Sequence, residues 1–308
     1  MEESELTEES VHEASAPTAA VPIGPVSDGL AAPLASVQLA QQPCPTCGTA
    51  GVSMPASYVY AIGRIEPRFP RLSVEKEFAQ ATGRAETVNL TDRQALQRVL
   101  QDNRYLAKQL CWVMTMSGLE TYIVVPRDPT DLNLLVETLR PSARPGDVDL
   151  LVGMRGPLAP PEMCNGLVVP IVAFDQLYSF DRDSLIASIP RPDAIPVDRF
   201  GEAAAEVFDR IIQTTDNAGA TDEHRALNYL TVRYPAIYAA VADAYGHNLS
   251  LTAVDVRPST LSGVRNIVDV IFSFTNRATD VVEKQFLRVD VTEEFPFLVT
   301  KLSPYFDR

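Results

Sequence analysis

The chain reads as a mixed α+β protein, and three observations predict this class. Between residues 58 and 174, apolar strand-like runs alternate with helix-like stretches. Residues 175 to 247 then carry helical periodicity alone. After residue 248 the hydrophobic pattern switches to strict alternation, the mark of a half-buried antiparallel sheet. The expectation is an N-terminal part with strands, helices and some parallel pairing, then central helices, then C-terminal antiparallel strands.

Each element has a local reason. In YVYAIGRI (58–65) both faces are apolar, as in a strand covered on two sides. Pro67 and Pro70 bracket a turn, and Ser73 caps a helix with Glu75 and Glu77 in its first turn. Thr91 and Gln94 have capping-box spacing before the apolar stripe Leu96, Val99 and Leu100. A third helix is predicted over 105–115, with Leu106, Leu110 and Val113 on its main face. The strand TYIVV (121–125) follows, then a helix over 131–140. Strands at 148–154 and 167–174 come next, the second interrupted by Pro170, which points to an edge or a bulge.

Helices are predicted over 175–187, 200–215 and 222–246, the last broken after Tyr234 by Pro235. Val268, Val270, Phe272 and Phe274 alternate with Asp269, Ser273 and Thr275; Leu287, Val289 and Val291 repeat the pattern. The two runs form a hairpin around 275–282. FPFLVTKL (295–302) closes the set as a strand with an edge open to an extended peptide.

Domain organisation follows composition. Residues 1–55 are rich in Ala, Pro, Ser and Glu, hold seven acids and no Lys or Arg, and read as a flexible acidic tail with a short helix at 33–42. Residues 56–308 form the folded part, as one domain or as lobes 56–190 and 197–308 around the Pro-rich stretch 189–200. The net charge of −14 and pI near 4.7 argue against nucleic acid as a partner. No apolar run reaches the roughly 20 residues of a membrane span, and the N-terminus is acidic where a secretory signal is basic. A cytoplasmic location is therefore expected, and Cys44, Cys47, Cys111 and Cys164 are not read as a disulfide framework.

Catalytic hardware is sparse. The chain shows no G-x-S-x-G, Walker A loop, H-E-x-x-H helix or G-x-G-x-x-G turn. Helix-terminal placement explains His224 and His247. PCPTCG (43–48) is half a zinc knuckle; Cys111 and Cys164, a histidine, or the same pair from a second subunit would complete it. An unliganded cysteine pair is the alternative. On the predicted helix 105–115, Tyr105 and Trp112 lie seven residues apart with Lys108 and Gln109 beside them. An aromatic pair with polar neighbours suits a peptide groove, against the alternative of a helix buried on two sides.

The stretches 57–84, 103–141, 220–239 and 268–308 together resemble the domain of unknown function of PatG/PatA-type cyanobactin maturation proteases, here without the protease. The resemblance implies a setting in the maturation of ribosomally made peptides, with a precursor peptide and a tailoring enzyme as partners. It hands over no reaction. The reading is a non-catalytic accessory protein that binds the precursor or presents it to the enzyme. One alternative is a tailoring enzyme for cyclisation or isomerisation, using Asp255, Arg265, Asp269 and Arg288. Another is a structural, zinc-stabilised homodimer.

Overall fold

Strand β1 (Tyr58–Arg68) opens the fold with both faces covered. Val59 and Ala61 face one core, and Tyr60 and Ile62 face another. The computed structural model describes residues 57–84, 91–191, 193, 195–212 and 216–306, all within one compact unit. The acidic segment 1–55, with its expected helix and Cys44 and Cys47, lies outside the described residues.

Helices α1 (Leu72–Arg84) and α2 (Asp92–Asp102) follow. The capping box forms as expected: Gln94 N donates to Thr91 Oγ1 at 3.3 Å, and Thr91 N donates to Gln94 Oε1 at 2.9 Å.

The helix expected over 105–115 is not there. Residues Arg104–Gln109 form a 3₁₀ helix, and the chain then becomes strand β2 (Cys111–Met116), paired with β3 (Leu119–Pro126). Trp112, Met114 and Met116 face one cluster while Cys111 and Val113 face another, which is a period of two. Ser117 and Gly118, with φ of 48° and 82°, make the tight left-handed turn that a hairpin requires. That turn and the tertiary pairing override the helical spacing of Leu106, Leu110 and Val113.

A short 3₁₀ turn leads into α3 (Leu132–Thr138), then β4 (Asp147–Leu158) and β5 (Pro170–Asp181). The helix expected over 175–187 is halved. β5 stays paired with β4 as far as Asp181↔Asp147, and only α4 (Arg182–Ser188) is helical, capped where Ser184 N donates to Asp181 at 3.0 Å. Pro170 begins β5 beside a register shift, as its missing N–H demands.

The five strands close into a barrel in the order β1-β2-β3-β5-β4. β3 and β5 run parallel; the other neighbours are antiparallel. Its core includes Met114, Val124, Leu151 and Phe174 and runs on into Val99, Leu106 and Leu135.

The second half packs three helices on a sheet. These are α5 (Val197–Ile212), α6 (Asp222–Arg233) and α7 (Ala236–Gly246), with the expected break at Pro235. Phe200, Ala203, Ala204, Val207, Phe208 and Ile211 form the buried stripe of α5 at helical spacing. Strands β6 (Leu249–Pro258), β7 (Ile267–Asn276), β8 (Val282–Asp290) and β9 (Phe297–Pro304) form an antiparallel sheet in chain order. β7 and β8 are the expected hairpin, and β9 lies at the edge of the sheet.

Helix α6 links the halves. Asn228 Nδ2 donates to Tyr60 O of β1 at 2.8 Å, and Tyr229 packs edge-on against Tyr60. Just before α6, Gly219 accepts from Tyr60 N at 2.8 Å. Its φ is +69°, and a Cβ there would stand 2.4 Å from Tyr60 O, so only glycine fits this crossing.

Candidate functional site

A cavity of about 370 Å³ opens at one end of the barrel. Its walls come from the Pro70–Arg71 turn, from residues 108–112, from 123–125 of β3, and from Glu162 and Met163 in the β4–β5 connection. Lys108, Gln109 and Trp112, three of the four residues expected to form a peptide groove, meet here. Tyr105 does not; it is 56% exposed on the 3₁₀ helix and is no lining residue. The aromatic pair expected from a continuous helix is thus separated by the switch from 3₁₀ helix to strand.

Trp112 is only 3% exposed, and its indole N–H donates to Ala107 O at 3.1 Å. It anchors the wall rather than projecting into the opening. The polar rim falls to Arg71, Lys108, Gln109 and Glu162. An apolar floor of Ile123, Val124 and Val125 inside such a rim suits a side chain of mixed polarity.

Cys111 forms part of the same wall, and it is joined to Cys164 in a disulfide. This bridges one pair among cysteines that were not expected to form a disulfide framework, and it removes Cys111 and Cys164 as one of the expected ways to complete a zinc site. Each sulfur is spent on the other, and both are packed among Val113, Ile123 and Ala159. Sequence could not pair them, since 53 residues separate them. Cys44 and Cys47 lie outside the described residues. Among the described residues no group of three or more His, Cys, Asp or Glu is placed to hold a metal ion.

The four charged residues of the C-terminal sheet do not converge. Arg288 Nε donates to Asp269 at 2.9 Å and to Ser259 at 3.2 Å, while Arg265 pairs with Asp290 at 3.6 Å. Asp255 is exposed on β6. His224 sits in the first turn of α6, where its N–H donates to the capping Thr221 at 3.2 Å, and His247 follows the end of α7.

A second constellation had no sequence signal. Asp175 of β5 and Glu294, in the segment between β8 and β9, share a hydrogen bond. Arg127 bridges them, 2.7 Å from Asp175 and 3.7 Å from Glu294. Burial, then the bond to Asp175 and its charge, push Glu294 up to about 7. Burial alone would raise Asp175 too, but the bonds from Glu294 and Arg127 hold it below its usual range. The two environments thus favour the protonated form of Glu294 and the ionised form of Asp175.

The pair makes a pH prediction. A carboxyl whose folded pKa is raised contributes stability that is fully present below its unfolded value of 4.5 and is lost as pH rises through about 7. Melting temperature is therefore expected to fall across that window. Glu294→Gln, which keeps a neutral donor, should flatten the profile between about pH 5 and 8. A variant that retains the full slope would assign it to other groups.

The family model described as PatG C-terminal matches residues 196–305, which span α5 to the end of β9. A solved structure of the PatG domain of unknown function is similar in fold, with a TM-score of 0.65 at 19% identity over 81% of this chain and 98% of that one. No curated protein matches the chain. No helix among the described residues is long and apolar enough to cross a membrane.

Proposed function

We propose that the PatG-type domain carried by this chain serves ribosomal-peptide maturation as a peptide-binding accessory. In this reading it seats a precursor peptide, or presents it to a tailoring enzyme, without performing the chemistry. The supporting observation is the 370 Å³ cavity that gathers Lys108, Gln109 and Trp112 with Arg71 and Glu162 around an apolar floor. Anchors of this kind, few and ringed by polar groups, are what a short peptide segment uses.

The test is titration of purified protein with candidate ribosomal precursor peptides, followed through the fluorescence of Trp112, the single tryptophan. Micromolar binding is expected. Lys108→Glu with Arg71→Glu should weaken it about tenfold or more without lowering the melting temperature. Binding untouched by that pair places the peptide elsewhere. Absence of micromolar binding overturns the reading.

The hydrogen-bonded pair of Asp175 and Glu294 favours a second reading, an enzyme using general acid–base catalysis. Asp175 also lines a cleft of about 430 Å³ with Glu137 and Tyr178. Incubation of the protein alone with the precursor, followed by mass and retention time, separates the two. A new product that disappears in Glu294→Gln would replace the accessory reading with this one.

A further inference from the structure

The β4–β5 connection is a long excursion whose backbone closes on itself. Ala159 N donates to Val169 O at 2.9 Å, Met163 N to Pro160 O at 2.9 Å, Gly166 N to Pro161 O at 2.7 Å and Leu167 N to Cys164 O at 3.0 Å. None of these bonds reaches β2. The covalent link to β2 is the disulfide, and apolar contacts of Met163 and Leu167 with the Cys111 cluster add to it. Glu162 and Met163 of this excursion form one wall of the cavity, and Cys111 lies in the wall from β2.

The two cysteines are not equivalent. Cys164 has no exposed surface, whereas Cys111 is 5% exposed and borders the cavity. Cys111 lines the cavity and Cys164 does not, so Cys111 is the residue that a thiolate entering the cavity would meet. Exchange depends on which sulfur can be attacked, on its access and on the leaving thiol.

We propose that Cys111–Cys164 is a thiol-exchange site, reached through the cavity by a dithiol reductant, and that its reduction frees the 159–169 wall. The incoming thiolate attacks Cys111 Sγ and forms a mixed disulfide with it. The Sγ–Sγ bond breaks, and Cys164 leaves as a thiolate and takes a proton. The second thiol of the reductant, as its thiolate, attacks the mixed disulfide, releasing Cys111, which is then protonated. Two electrons and two protons pass to the protein, and the reductant leaves as a disulfide. The wall is then held by apolar contact alone, so the opening widens and the floor of Ile123, Val124 and Val125 becomes more accessible. The inference rests on the walls of the cavity and not on what fills it, so a failure of peptide binding leaves it standing.

The experiment uses the full chain with Cys44→Ser and Cys47→Ser, so that only this pair titrates. Under native conditions the oxidised protein is exposed to a Glu-specific protease before and after treatment with dithiothreitol. Cleavage after Glu162 is expected to rise about tenfold on reduction, while cleavage after the other glutamates stays the same in both states. Equal cleavage in both states overturns the proposal, as does purified protein in which both thiols are already free to alkylation after unfolding. In the same background, Cys164→Ser leaves Cys111 free and Cys111→Ser leaves Cys164 free. With a dithiopyridine disulfide, Cys111 should react about tenfold faster or more. Equal rates, or a faster Cys164, would remove the cavity as the route of attack.

Discussion

Trp112→Ala is expected to destabilise the protein by about 3–5 kcal/mol, the range for deleting a large buried aromatic side chain. The indole is almost wholly enclosed in the barrel cluster with Leu106, Met114 and Val124, and its N–H is satisfied by Ala107 O. Removing it opens a void and leaves that carbonyl without its partner. Chemical denaturation against the parent measures the loss; a change below about 1 kcal/mol would show that the barrel closes over the gap. Because the fold itself suffers, Trp112→Phe is the substitution to pair with a binding study read by calorimetry, since it removes the single tryptophan as a fluorescent probe. It keeps most of the ring volume while removing the indole.

Arg225→Ala is expected to lower stability by about 3 kcal/mol, through the loss of charge-assisted hydrogen bonds rather than of apolar area. Arg225, 3% exposed, lies in the first turns of α6. Its Nη1 donates to Val291 O at 2.6 Å, its Nη2 donates to Glu293 O, and its guanidinium stacks over the Tyr58 ring at 5.4 Å. One side chain thus ties a helix, the first strand and the segment that leads to β9. Truncation leaves two carbonyls without their donor. Arg225→Lys should recover only part of the loss, since a single ammonium cannot reproduce the planar fork. Thermal melts of the parent and the two variants read the order directly. A lysine variant as stable as the parent would mean that charge alone suffices.

Much of the fold was legible because local rules and tertiary packing agree. The Thr91–Gln94 box, the break at Pro235 and the alternation through 268–275 each express a constraint that acts within a few residues. Residues 105–115 were misread because Leu106, Leu110 and Val113 satisfy a helical period by coincidence. The decisive cue, the Ser117–Gly118 turn, lies beyond the window in which that period is counted. The stretch 175–181 failed for a different reason. Its extension is imposed by pairing with β4, and no feature within the stretch itself announces that neighbour.

The candidate site was half legible. Lys108, Gln109 and Trp112 do meet at one cavity, but as the border of a 3₁₀ helix and a strand. The walls that complete it, Arg71 and Glu162, come from distant turns. Asp175 and Glu294 were invisible for the same reason, since each reads as one more acid in an acidic chain. Only the fold brings them into contact.

The closure of the barrel bears on how the chain finds its structure. β7 and β8 pair across a five-residue turn, so that hairpin can form from local encounters. The barrel cannot. Its seam joins Tyr58 to Met154, and its parallel pair joins Ile123 to Ile171, so both must bring together chain that is remote in sequence. The entropy of closing such loops has to be met before their contacts contribute, which makes them slow. The C-terminal sheet is therefore expected to gain amide protection first in a refolding experiment, and the β1–β4 seam last, although β1 leaves the ribosome long before β7.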